Sequence, residues 1–124
     1  MLPSLSLAAL LQNRLSEILK SEEANGSSLH IYTVGDFIVA FEKSAYWLSR
    51  IVPECGTAVM RFASLPFPVI MASTAASDVS RLKSLFASDG EHEGRMTFRT
   101  DEIPRDKYMK WHDEKAFEGE KVRK

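Results

Sequence analysis

The sequence predicts an α/β fold, a single small domain in which a mixed β-sheet carries flanking helices. Three observations lead there. Leu7, Leu11, Leu15, Ile18 and Leu19 recur at three- and four-residue spacing, the stripe of an amphipathic helix. Two β-rich runs, 29–34 and 37–41, are separated only by Gly35-Asp36, the signal of a tight hairpin. Helical stripes and short apolar runs then alternate to about residue 100, which sets helices against a sheet.

The spacing predicts a first helix over 4–23, opened by Pro3 and Ser4 and closed by Asn25-Gly26. Its polar side (Gln12, Asn13, Ser16, Glu17, Lys20) is not basic, which disfavours a membrane-surface helix. In the hairpin, Gly35 supplies the positive φ of a type II′ turn. Period two puts Phe37, Val39 and Phe41 on one face and Ile38 and Ala40 on the other. A helix over 42–52 follows, with Ala45, Leu48 and Val52 as its stripe and Pro53 as its stop. Beyond the turn at Cys55-Gly56-Thr57, a short strand is expected over 58–62 and a buried one over 69–72. Ser73 or Thr74 then caps a helix over 75–88 with the stripe Val79, Leu82, Leu85 and Phe86, closed by Asp89-Gly90. Residues 95–100 alternate weakly and read as an edge strand. From Asp101 the composition shifts: the last 24 residues hold seven acids and seven bases and few aliphatics. Residues 1–100 therefore read as the domain and 101–124 as a charged tail, partly helical from Pro104 with Tyr108 and Trp111 as anchors, and mobile toward its end.

With 124 residues, 44% hydrophobic and 27% charged, the chain has an ordinary globular composition, neither disordered nor fibrous. Sixteen basic against seventeen acidic residues leave a net charge of −1, so a globally cationic nucleic-acid binder is excluded and any such site must be a local patch. Between residues 29 and 100 the cations Lys43, Arg50, Arg61, Arg81, Lys83, Arg95 and Arg99 are balanced by as many acids, a solvated surface by default. No apolar run spans a membrane, and the start lacks the basic flank and cleavage pattern of a signal peptide, so a cytoplasmic setting is expected. Cys55, the one cysteine, has no intrachain disulfide partner and no basic neighbour that would make it a nucleophile. Phosphate-loop, dinucleotide, zincin and nucleophile-elbow motifs are missing. His30, His92 and His112 have no ligand spacing, and His92 between Glu91 and Glu93 reads as a solvated loop. An enzyme is not expected, nor a metal or other cofactor.

The segment Tyr32-Thr33-Val34-Gly35-Asp36-Phe37-Ile38-Val39-Ala40-Phe41-Glu42-Lys43-Ser44-Ala45 resembles the start of the N-terminal, mismatch-recognition domain (domain I) of the MutS family. There a strand runs into Gly-Asp-Phe and then an Ala that opens a helix. Phe67-Pro68-Val69-Ile70-Met71-Ala72, followed by a helix ending in Asp89-Gly90, is similar to a second segment of that family in matching order. The resemblance covers about 29–94 and implies a MutS domain I-like fold. In that family a Phe-x-Glu motif reads the mispair: the Phe stacks as a wedge and the Glu hydrogen-bonds the displaced base. Phe37 stands at the wedge position, but Val39 stands at the Glu position and can accept no hydrogen bond. Met71 matches its counterpart, whereas Ser73 stands where the family has Gly. The other MutS parts, including the ATPase, do not follow here, so a stand-alone accessory protein is expected, similar to those encoded beside the reverse transcriptases of bacterial diversity-generating retroelements.

Two functions of different classes are expected from this. In the first, the protein is a nucleic-acid-binding module for duplex DNA or RNA–DNA hybrid, without strict mismatch specificity and without ATPase activity. Phe37 is its wedge, Val39, Met71 and Ser73 lie beside it, and Lys43, Arg50 and Arg81 contact phosphates. Tyr32, Tyr46 and Trp47 then offer a stacking platform, against a core role favoured for Trp47. In the second, the fold is kept and the reader is lost: the Phe37-Val39-Phe41 face and the aromatic tail form a protein-interaction or homo-oligomer surface. Phe37 itself has a bland alternative as a core aromatic, which the all-apolar face slightly favours.

Overall fold

The structure, a computed structural model, describes residues 6–92 and 94–122. Among these the chain runs α1 (Leu7–Glu23), β1 (Ser28–Val34), β2 (Phe37–Phe41), α2 (Glu42–Ile51), β3 (Gly56–Met60), β4 (Val69–Ala75), α3 (Val79–Leu85), β5 (Ser88–His92), β6 (Arg95–Arg99) and α4 (Arg105–Val122). A single 3₁₀ turn, Ala76–Asp78, leads into α3. The six strands form one sheet in the order β3-β4-β2-β1-β6-β5. Every neighbouring pair is antiparallel, so the expected mixed sheet is corrected to an antiparallel one. The cause is topological. A parallel pair needs a crossover between neighbours, whereas α2 joins β2 to β3 and α3 joins β4 to β5, which are not neighbours.

Helices cover both faces of the sheet. On one, Leu10 and Ile18 of α1 pack on Tyr32, Val39, Phe41, Val69 and Met71. On the other, Ala45, Leu48 and Val52 at α2, with Leu82 of α3, pack on Leu29, Ile31, Ile38, Ala40, Ala72 and Phe98, and Trp111 of α4 joins them. Fully burying one such aliphatic side chain is worth about 1.5–3 kcal/mol, and Leu10, Leu48 and Leu82 have no exposure at all.

The hairpin forms as its turn residues dictate. Val34 pairs with Phe37, Gly35 sits at φ 59°, and Asp36 is not among the positive-φ residues, the sign pattern of a type II′ turn. The backbone N–H of Ala76 donates to the Asp36 carbonyl at 2.8 Å, which ties the turn to the end of β4.

Several elements differ from expectation. Ser6, not Ser4, caps α1: its Oγ accepts from the Ala9 N–H at 3.1 Å; Pro3 and Ser4 lie outside the described residues. The core side of α1 is Leu10, Ile18 and Glu22, while Leu11, Leu15 and Leu19 are only half-buried. Ser73 and Thr74 cap nothing, because β4 runs on to Ala75 through its ladder with β2. The expected helix over 75–88 shortens to α3 for the same reason, and Phe86 is already extended. Asp89-Gly90 lies within β5, a strand with no β-formers whose pairing to β6 is irregular between Ser88 and Glu91. Here tertiary pairing overrides propensity. β6 is consequently internal, between β1 and β5, and not an edge. β3 begins two residues before the expected strand. The charged tail is helical as α4 through Val122, so the last several residues, expected to be mobile, are helix as far as they are described; residues 123–124 lie outside the described residues. Among the described residues no helix is long and apolar enough to cross a membrane.

Candidate functional site: the hairpin tip and the Glu42 junction

Phe37 is the first residue of β2, beside the turn, and is 56% exposed, while Phe41 at the other end of the same strand is completely buried. The bland expectation of a core aromatic at Phe37 is therefore corrected. Its face of the sheet runs out from under α1 at the hairpin tip, so Phe37 projects where Val39 and Phe41 are covered. The same cover removes other expected contacts. Val39 is 3% exposed and Met71 9%, both packed under α1, so neither reaches a ligand. Ser73 pairs with Val39 on β2 and with Gly56 on β3 and is half-buried. The Phe37-Val39-Phe41 face is not an open surface, since only its first member is exposed.

Each of the expected cations has a partner within the fold. Lys43 follows the far end of β2, where its Nζ donates to the carbonyls of Glu23 at 3.1 Å and Asn25 at 3.2 Å and so closes the C-terminus of α1. The Arg50 guanidinium lies over the Tyr46 ring, 5.6 Å from its centroid. Arg81 donates to Glu54 at 2.9 Å across an exposed ion pair. Tyr32, Tyr46 and Trp47 do not form an open aromatic platform. Tyr32 and Tyr46 are buried and Trp47 packs against the core, because helices occupy both faces of the sheet. Tyr108 and Trp111 do not form a free aromatic tail; they pack edge-to-face on Tyr46 at 6.1 and 5.7 Å between ring centroids.

A second constellation lies at the opposite end of β2. The chain passes from β2 into α2 within one residue, Glu42, whose φ of 52° is the left-handed region that costs a non-glycine residue about 1–2 kcal/mol. That turn brings the carboxylate inward, where it meets three donors. Oε1 accepts from the Ile70 N–H at 3.0 Å, and Oε2 accepts from the Tyr108 hydroxyl and from His112 Nε2, both at 2.7 Å. Glu22 stands behind it. Its buried carboxylate accepts from the Ser44 N–H at 2.9 Å and the Ser44 hydroxyl at 2.7 Å, and Ser44 Oγ accepts in turn from the His30 N–H at 2.9 Å.

Burial pushes the Glu22 carboxyl up to about 7, against the pull of the Ser44 and Asn25 donors. The hydrogen bond to Glu42 raises the His112 imidazole above its ordinary value, although burial opposes it. Burial first, and then the Glu42 charge, holds the Tyr108 phenol far above the usual tyrosine range. His30 is pushed down to about 4, by burial and then by Arg95.

Glu22, Glu42 and Tyr108 are among the polar residues lining an open cleft of about 640 Å³, which is lined also by Leu11, Leu15, Leu19, Leu65 and Phe67. His112 faces a smaller hollow of about 230 Å³ next to it. Three donors from β4 and α4 occupy the Glu42 carboxylate, so it serves as an anchor between elements rather than as an open base.

The sequence contained one signal of this junction. Glu22 follows Ile18 by four residues on the buried side of α1, where an acid is out of pattern. Nothing local pointed to Glu42, Tyr108 and His112 together. Cys55 is half-buried, and burial raises its thiol, in keeping with an inert cysteine. The chain matches no family model, no curated protein and no solved structure.

Proposed function

We propose that the protein is a nucleic-acid-binding module, not an enzyme, that touches a duplex with the Phe37 ring and has a valine, Val39, at the position where the resembled family reads a displaced base with a carboxylate. One observation carries this reading: Phe37 stands 56% exposed at a tight hairpin tip, in a protein whose other strand phenylalanines, Phe41 and Phe98, are completely buried. The resemblance of 32–45 to the mismatch-recognition domain of MutS gives that exposed ring its role, an apolar wedge between base steps. Val39, enclosed under α1, leaves the wedge without its partner. The contact therefore depends on stacking, which is worth about 1–3 kcal/mol per base, and not on base identity. Phosphate contacts are few, because Lys43 and Arg81 are held by partners within the fold.

The test is fluorescence anisotropy of labelled matched, mismatched and RNA–DNA hybrid duplexes at two salt concentrations. Similar affinity for all three is expected, together with a shallow salt slope, which counts the phosphate contacts. Phe37→Ala is expected to weaken all three by roughly fivefold or more. Absence of binding, or affinity unchanged in a folded Phe37→Ala protein, overturns the reading.

A second reading, a protein-interaction or self-association module, is favoured by a different observation. Phe37, Phe67, Leu85, Met109 and Phe117 are all large apolar side chains exposed by 44–63% on a protein of net charge −1. Sedimentation over a concentration series decides it. A mass that rises with concentration in the wild type and not in Phe37→Ala assigns the tip to a protein partner.

A further inference from the structure

We propose that α4 is a pH-governed latch: His112 and Tyr108 clip the helix to Glu42, and when the imidazolium loses its charge α4 loosens from the body while the sheet stays closed.

Three features of the geometry point to this. First, α4 buries no side chain completely among residues 105–118. Among residues 105–118 its inner stripe of Tyr108, Trp111, His112, Lys115 and Ala116 is only half-buried, and the other positions are exposed. By contrast α1 and α2 each bury several side chains completely. Second, two polar contacts of α4 converge on a single oxygen. Tyr108 Oη and His112 Nε2 both reach Glu42 Oε2 at 2.7 Å, one helical turn apart on the same side of α4. Third, Glu42 is fixed from the sheet side by the Ile70 N–H, so the anchor does not follow the helix when it moves.

The groups facing His112 give the sign. From α2 it meets the Glu42 carboxylate; on its own helix it has the Asp113 carboxylate and the Tyr108 ring, whose centroid is 5.7 Å away. Phe67 and Met109 complete the hollow and carry no charge. Glu22 of α1 stands behind Tyr108 and Glu42; its charge raises the Tyr108 phenol, and the Glu42 charge raises the Glu22 carboxyl. The docked imidazole is therefore raised, mainly by Glu42. A raised imidazole contributes docking free energy that is fully present below its free value near 6.5 and is lost as pH rises through the docked value. The neutral ring still donates Nε2–H to Glu42, so the latch loosens without vanishing.

An isolated 18-residue polar helix is only marginally stable in water, so undocking is readable as amide exchange. The experiment measures hydrogen exchange of α4 amides relative to β1 and β2 amides from pH 6 to 9. The ratio cancels the hydroxide dependence common to both sets. Relative protection of α4 is expected to fall by about tenfold for each pH unit separating the docked imidazole from the free one. His112→Gln, which keeps a donor and cannot titrate, is expected to remove the fall, with any remainder belonging to Glu22. A flat ratio in the wild type, an equal loss in helix and sheet, or the same slope in His112→Gln overturns the proposal. If His112→Gln does not fold, the His112 ring protons of the wild type decide by NMR: a midpoint clearly above 6.5 upholds the latch, and one at or below 6.5 overturns it.

Discussion

Replacing Glu22 by Gln is expected to stabilise the protein at alkaline pH and to leave it nearly unchanged at pH 4. Glu22 is 2% exposed at the meeting of α1 and α2, and burial holds its carboxyl near 7, against an ordinary value of 4.5. The folded protein therefore keeps a proton that the unfolded chain releases from about pH 4.5 upward. The sign follows from that difference. Stability from this group is fully present below 4.5, falls as pH rises, and is lost once pH passes the folded value of about 7. Each pH unit of separation is worth about 1.4 kcal/mol, so the loss by pH 8 amounts to about 3 kcal/mol. A glutamine copies the protonated acid: its oxygen accepts from the Ser44 N–H, and its amide donates to Ser44 Oγ in place of the hydroxyl bond that the carboxylate receives. Urea unfolding at half-unit steps from pH 4 to 8 supplies the two curves. They are expected to meet near pH 4 and to diverge to about 3 kcal/mol at pH 8, with Glu22→Gln the more stable. Parallel curves, or a variant less stable at pH 8, would refute the claim that Glu22 is protonated in the folded state.

At position 42, Gly is expected to exceed Ala in stability by about 1 kcal/mol, because φ of 52° strains any side chain. Both should fall about 2 kcal/mol or more below the wild type, since Ile70 N–H, Tyr108 and His112 lose their acceptor; urea unfolding measures both differences. Gly35→Ala is expected to cost about 1 kcal/mol in the same assay, from its φ of 59° alone, since nothing lies within 4 Å of the added methyl. His30, depressed to about 4 by burial, contributes stability that is present above 6.5 and is lost as pH falls toward 4; His30→Gln should flatten that acid limb of the urea series. Phe37→Ala should change thermal stability by less than about 0.5 kcal/mol, because an exposed ring gives the fold little, and a larger loss in a melting experiment would return Phe37 to the core.

Much of the local structure was legible in the residues. Gly35-Asp36 between two β-rich runs specified the hairpin, and Val34 does pair with Phe37. Leucines at helical spacing placed α1, and Pro53 marked the end of α2 to within two residues. The miss at β5 has a physical cause. Ser88-Asp89-Gly90-Glu91-His92 carries no β preference, and its strand character comes from backbone bonds to β6. The miss at Glu42 is of another kind. Tyr108 lies 66 residues further along the chain, and no spacing rule relates a residue at a strand–helix junction to one on a distant helix.

By itself, the sequence determined the turn chemistry, the helical stripes, the alternation along β2 and a charge balance too even for a broad cationic surface. All of these are set by neighbours within a few residues. Only the tertiary structure decided the strand order, which faces of the sheet are covered, and hence that Phe37 projects while Val39 is enclosed. Alternation says which side chains share a face, not whether a helix lies over it. Here α1 covers one face and α2, α3 and α4 the other, so the residues of β2 after Phe37 are buried whichever way they point.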